Sequence, residues 1–294
     1  MALNTIEAEH FLSLGCTLGE GPNWSARDAA LWFVDIKAPC VYRLDPATRK
    51  LDRWAAPAHI GWVLPLDDGG WLAGLSTGLH RFDPADGSFT PVAEIEAHLP
   101  DNRLNDAAVA PDGRIWFGSM DNLEADATGH VYHWHRGDVA KADVAPIVIT
   151  NGPAISPDGK TLYLVDTLGL AIDAHAIDAT GNVGPAERFL TIDPAHGHPD
   201  GAICDADGGV WVGFFGGWAA RRFAPDGTQT DEVRFPVANI TKIAIGGADG
   251  RTAFATTARQ GLSADQLAAQ PLAGDIFTFP VAIPGLPTRL ATTA

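Results

Sequence analysis

Apolar residues fall in short runs, each centred on Trp, Tyr or Phe and each entered from a polar turn. The unit recurs as "SARDAALWFVDI", "LDDGGWLAGL", "APDGRIWFGSM", "SPDGKTLYLVDT", "DADGGVWVGFF" and "GADGRTAFATT". With Arg27, Asp68, Asp112, Asp158, Asp207 and Asp249 as equivalent points, the intervals are 41, 44, 46, 49 and 42 residues. Such runs, bounded by Gly, Pro and Asp, predict strands, and a repeat of this length is that of a β-propeller blade. Further along each unit a second strand signal runs into another turn: "VYRLDPATRK", "LHRFDPADGS", "VYHWHRGD", "DAHAIDATGN", "RRFAPDGTQ" and "IFTFPVAIPG". Two turns per unit predict a four-stranded antiparallel meander. Helical spacing is confined to "SADQLAAQP" near residue 265, which reads as one or two turns of helix inside a loop.

The predicted fold class is all-β: one six-bladed β-propeller domain over residues 1–294. Pairing of the chain ends leaves such a ring without an open edge. The segments "AEHFLSLG" and "TRLATT" are therefore expected to lie together in one blade.

In a propeller the first strand of each blade lines the central channel, and all six begin on the same face. Counting back seven residues from each equivalent point gives Glu20, Gly61, Asn105, Asn151, Asp200 and Lys242. Any one of these in isolation is a common turn former. Four oxygen donors in one inward register are not explained by turns or packing. Hard donors from several blades suit one divalent cation: calcium, magnesium or manganese, or zinc or Fe(II) with water completing the shell. Gly follows Glu20, Asn151 and Asp200, giving the backbone freedom to turn and room beside an ion. Asn105 is poised between a metal and a substrate role.

Second strands return to the same face, so their ends rim the same mouth. That adds Met120 to Glu124, Asp166, Phe214 and Phe215, with Trp62 at the start of its own blade. Inter-blade packing is the competing role for Phe214, Phe215 and Trp62, and turn formation for Asp166.

Composition narrows the partners. The 294 residues are 46% hydrophobic, enough for a large core, and the formal net charge of −16 repels phosphate backbones and anionic lipid surfaces. Neither nucleic acid nor membrane is expected as a partner, and no obligate protein partner is implied. The N-terminal stretch has no basic region followed by an apolar one, so a cytoplasmic location is expected. Cys16, Cys40 and Cys204 form no CxxC pair and read as small buried hydrophobes. No GxSxG elbow is present. His133 with His135, and His196 with His198, lack zincin spacing, although His198 stands two residues before Asp200.

The segments "LGEGPNW", "RLNDAAVAPDGRIWFGSM", "NGPAISPDGKTLYLVDT", "HPDGAICDADGGVWVGFFGG" and "TTARQGLSADQLAAQPLAGDIF" resemble the senescence-marker-protein, gluconolactonase and luciferin-regenerating family, which includes regucalcin and bacterial sugar lactonases. The last segment looks most like bacterial members that open xylono- or arabinonolactones. The resemblance implies that Glu20, Asn151 and Asp200 are metal ligands and that Arg103 and Asn105 face a sugar ring. Where some members carry an acidic pair after a "GTM" element, this chain has "GSMDNLEAD", so Asp121, Asn122 and Glu124 are all candidates for substrate contact.

Three protein ligands leave positions on an ion for water and a substrate oxygen. The expected function is metal-dependent hydrolysis of a small sugar lactone, with Asp200 as general base and Arg103 on substrate hydroxyls or the developing oxyanion. A non-catalytic calcium- or protein-binding propeller is the alternative from another class, and a metal-dependent esterase or phosphotriesterase is the alternative chemistry.

Overall fold

The computed structural model describes residues 3–293. Positions 1, 2 and 294 of the expected domain lie outside the described residues. Six sheets are arranged as the repeats predict. The six inner strands are Gly19–Ser25, Ile60–Pro65, Asn102–Val109, Thr150–Ile155, His198–Cys204 and Ile240–Gly246, and they open the first to the sixth blade in that order. The fifth blade carries an additional strand, because Asn4–Glu7 runs parallel to its outermost strand, Gln229–Arg234.

The aromatic at the centre of each repeat is the residue that locks neighbouring blades together. Trp32, Trp71, Trp116, Tyr163, Trp211 and Phe254 all lie on second strands and are all buried. The hydrophobic core is accordingly a ring of six clusters, one at each junction between adjacent blades. At the first junction Trp32 meets Trp71 at 4.1 Å between ring centroids and Trp54 at 5.5 Å.

Ring closure departs from expectation in one respect. The N-terminal strand Glu9–Leu12 pairs antiparallel with Ile276–Pro280 to complete the sixth blade. The segment "TRLATT" is not part of that blade. It belongs to a strap that crosses the face opposite the inner-strand starts and bonds to all six blades. Gly285 N–H donates to Gly250 O and Ala206 N–H to Pro284 O. Thr288 Oγ1 donates to Trp24 O, and Arg289 to Val109 O and Ser156 O. Ala291 N–H donates to Pro65 O and Thr292 N–H to Gly113 O. The strap thus supplies donors to carbonyls at the ends of inner strands, such as Trp24, Pro65 and Val109, and to carbonyls of adjoining turns.

The predicted helical turns form Ala264–Ala269, with Ser263 and Gln266 making a reciprocal capping box. Among the described residues no helix is long and apolar enough to cross a membrane.

Candidate active site

All six inner strands break register with their second strands near the same point. The shifts fall between Glu20 and Asn23, Ile60 and Trp62, Leu104 and Ala107, Asn151 and Ala154, Pro199 and Ala202, and Ile240 and Ile243. A bulge of this kind re-aims side chains that strict alternation would send into a blade. The equal seven-residue count hides an offset of one. Glu20 and Asn151 stand just before their bulges, whereas Asn105 and Asp200 lie within theirs. Gly21 and Gly152 take φ of 54° and 58° directly after Glu20 and Asn151, a turn that a side chain would strain. The second blade offers glycine for a different reason. A Cβ on Gly61 would stand 2.2 Å from Asn105 O, so its strand packs backbone against backbone.

The result is a cavity of about 270 Å³ on the propeller axis, lined by Glu20, Arg103, Asn105, Asn151 and Asp200 together. Of the other positions expected at the mouth, Met120, Glu124, His198 and Phe215 line it as well. Asp166 accepts from Gly169 N–H and serves its turn. Phe214 is buried beneath the Arg221 guanidinium, and Trp62 is buried against Phe117, so both are packing residues.

Electrostatics single out two carboxyls. Glu20 and Asp200 are buried and make no ion pair among the described residues. Glu20 accepts one hydrogen bond, from Gly21 N–H at 2.8 Å. Burial, with Asp106 nearby, pushes the Glu20 carboxyl up to about 8. Burial first, then the charges of Glu20 and Asp106, raises Asp200 well above the usual carboxylate range. Arg103 and Lys242 oppose both shifts. Lys242, the one cation in the inward register, is bound to Asp106 Oδ1 at 2.5 Å.

The amides and Arg103 form one network. Arg103 Nη1 donates to Asn105 Oδ1 at 2.5 Å and to Leu104 O at 3.3 Å, and Nε donates to Asn122 Oδ1 at 3.1 Å. Asn105 Nδ2 donates to Asn151 Oδ1 at 2.9 Å, and Asn151 Nδ2 to Thr167 Oγ1 at 2.9 Å. Asn105 thus bridges the Arg103 and Asn151 side chains. Burial lowers the Arg103 guanidinium to about 10.

Of the three candidates after Met120, only Glu124 lines the cavity. The Asp121 carboxylate is not a cavity group: it accepts N–H bonds from Leu123, Ala125 and Asp126 and so shapes its own loop. Those bonds hold it below the usual range. Asn122 turns its oxygen to Arg103 and Lys37, not to the cavity. Lys37 and Thr167 were not singled out by sequence. Thr167 ends the "LVDT" run and had a positional signal; Lys37, in a turn of the first blade, had none.

Two carboxylates held apart from any cation, beside amide oxygens, fit a hard divalent ion: its charge would relieve their mutual repulsion. Among the described residues no cluster of three or more His, Cys, Asp or Glu is set to hold a metal, and the donor set here is instead mixed carboxylate and amide.

A six-bladed propeller with this acid, amide and guanidinium set at one end of its axis defines the class, and comparison with known proteins agrees. Residues 18–259 match the SMP-30/Gluconolactonase/LRE-like region, and the chain belongs to that family. It is 36% identical over 282 residues to L-arabinolactonase of Azospirillum brasilense, covering 94% of this chain and 93% of that protein. It is 33% identical to 6-deoxy-6-sulfogluconolactonase of Pseudomonas putida, covering 91% and 92%. A solved calcium-binding regucalcin from Agrobacterium tumefaciens superposes with a TM-score of 0.94 at 30% identity, covering 99% of each chain.

Proposed function

We propose that this protein is a cytosolic, divalent-metal-dependent lactonase that opens a small sugar lactone to its aldonic acid. The observation that carries the reading is the pairing of two buried, unpaired carboxyls, Glu20 and Asp200, with Arg103 across one axial cavity. The family relatives named as sugar lactonases support the same substrate class.

Glu20, Asn151 and Asp200 would hold the ion, which when bound polarises the ester carbonyl and acidifies water. The remaining chemistry belongs to the chain. Asp200 takes a proton from the attacking water as the water oxygen bonds to the carbonyl carbon, and returns a proton to the ring oxygen as the acyl–oxygen bond breaks. Arg103 Nη2 donates to no described protein group and is left to bind the substrate carbonyl or a hydroxyl. Asn105 fixes the facing edge of that guanidinium, and Glu124 offers an acceptor to sugar hydroxyls.

The test is proton release on a panel of pentono- and hexonolactones after chelation and metal add-back. Metal-restored turnover on at least one lactone is expected; no turnover with any ion overturns the reading. The calcium-binding description of the regucalcin structure favours one rival, a propeller that binds calcium without catalysis. That rival predicts calcium binding with no lactone opened.

A further inference from the structure

The turn that follows the second strand of the first blade is unusually well tied down. Asp35 Oδ1 accepts from the N–H groups of Leu18, Lys37 and Ala38, and Oδ2 accepts from Thr17 N–H. From this base the Lys37 side chain reaches the third blade, where Nζ donates to Asn122 Oδ1 at 2.6 Å. The same oxygen accepts from Arg103 Nε at 3.1 Å. One neutral amide oxygen therefore sits between two cations.

That arrangement is unfavourable taken alone. Burial lowers the proton affinity of the Lys37 amine, and the Arg103 charge lowers it further. Only Glu124 acts in the opposite sense on Lys37. A primary amide has two ends of nearly equal shape, one accepting and one donating, so nothing steric decides which end faces Arg103. The orientation is set electrostatically, and a second cation on the same side strengthens it, because the reversed amide would turn its NH2 toward two positive donors. With Asn122 fixed, Arg103 is held at Nε and at Nη1, and Nη2 is the nitrogen left over.

We propose that Lys37 is a positioning residue for the lactonase site: it fixes the Asn122 amide, and through it the plane of Arg103, from a blade that among the described residues makes no direct hydrogen bond to that guanidinium. This rests on the function proposed above. It also assigns Asn122 a role in orienting Arg103 rather than in meeting substrate.

The experiment pairs kinetics with a readout independent of turnover. Lys37→Met lowers kcat/KM about tenfold, the size of one hydrogen bond to a charged group, and Lys37→Arg, which keeps a cationic donor, restores most of it. In an Asn122→Ala background Lys37→Met adds less than about twofold, since the route is already cut. By NMR, hydrogen exchange at Arg103 Nε–H is about tenfold faster in Lys37→Met than in the wild type. Lys37→Gln replaces the Met variant if that protein is insoluble. Equal losses with and without Asn122, or unchanged Arg103 Nε–H exchange, overturn the proposal. If the wild-type protein opens no lactone, the functional reading fails while the exchange measurement still decides the positioning role.

Discussion

The two ends of the propeller axis are built from the same six inner strands and differ in almost every other way. At one end lies the cavity with Glu20, Arg103, Asn105, Asn151 and Asp200. At the other is a cavity of about 140 Å³ with walls that include Leu64, Val109, Ile155, Ile203 and Ile245, and Leu286 and Pro287 of the strap form part of its lining. Repetition accounts for the common framework and not for the contrast. The bulges gather carboxylates and amides at one end, and the strap runs across the inner-strand ends at the other. Lys242, bound to Asp106, lines the lower cavity and acts electrostatically on Glu20 and Asp200 above it. A ring of similar blades acquires two unlike ends because its symmetry is broken at each by different means.

The contrast can be broken most severely at the polar end. Asp200→Asn and Glu20→Gln should each lower metal-supported kcat/KM by about 10³, while raising the melting temperature of the metal-free protein at pH 8 by relieving buried charge. Wild-type turnover in both variants would remove these carboxyls from the chemistry.

Next in size is the strap end. Ending the chain before Pro284 removes bonds to all six blades and should lower the melting temperature by roughly 10 °C or more. Activity per folded molecule at low temperature should persist, as these bonds of the strap reach none of the residues that line the upper cavity. Loss of activity without loss of stability would show that the two ends are not separable.

A smaller effect follows from pH. In metal-free protein the folded Glu20 and Asp200 retain protons that the unfolded chain releases above the ordinary carboxylate range. Stability contributed by these groups is therefore present at low pH and is lost as pH rises toward about 8. Calorimetry should find the metal-free melting temperature falling by about 5 °C between pH 5 and pH 8. Saturating divalent ion, or the Glu20→Gln change, should flatten that slope. The least effect is expected from Arg289→Met, which removes bonds to three carbonyls on the strap side: about 1 kcal/mol of stability and unchanged kcat/KM.

Much of the framework was legible because its signals are local. The recurring aromatics are each buried by the nearest blade, so their spacing reports the repeat directly. Closure by "AEHFL" could be anticipated from the need to remove an edge, but its partner could not. "TRLATT" is as strand-like as Ile276–Pro280, and only the position of the chain after the last inner strand decides which of them lies beside Glu9–Leu12. The site divides in the same way. Glu20, Asn105, Asn151 and Asp200 carry a register that can be counted, although the bulges shift two of them by one place. Asp121, Asn122 and Glu124 are neighbours of similar polarity, and nothing in their order shows that one serves the loop, one serves Arg103 and one faces the cavity.

The sequence by itself determined the repeat, the one aromatic per blade that is to be buried and the set of oxygen donors brought to the inner strands, because these are written in the local alternation of strand and turn, which is repeated blade by blade. Only the tertiary structure decided which end of the axis is covered, how Asn105 joins Arg103 to Asn151, and that Lys37 reaches Asn122 from 85 residues away. Those contacts exist only once the ring has closed, when the angle and distance between blades bring side chains together that no periodicity along the chain relates.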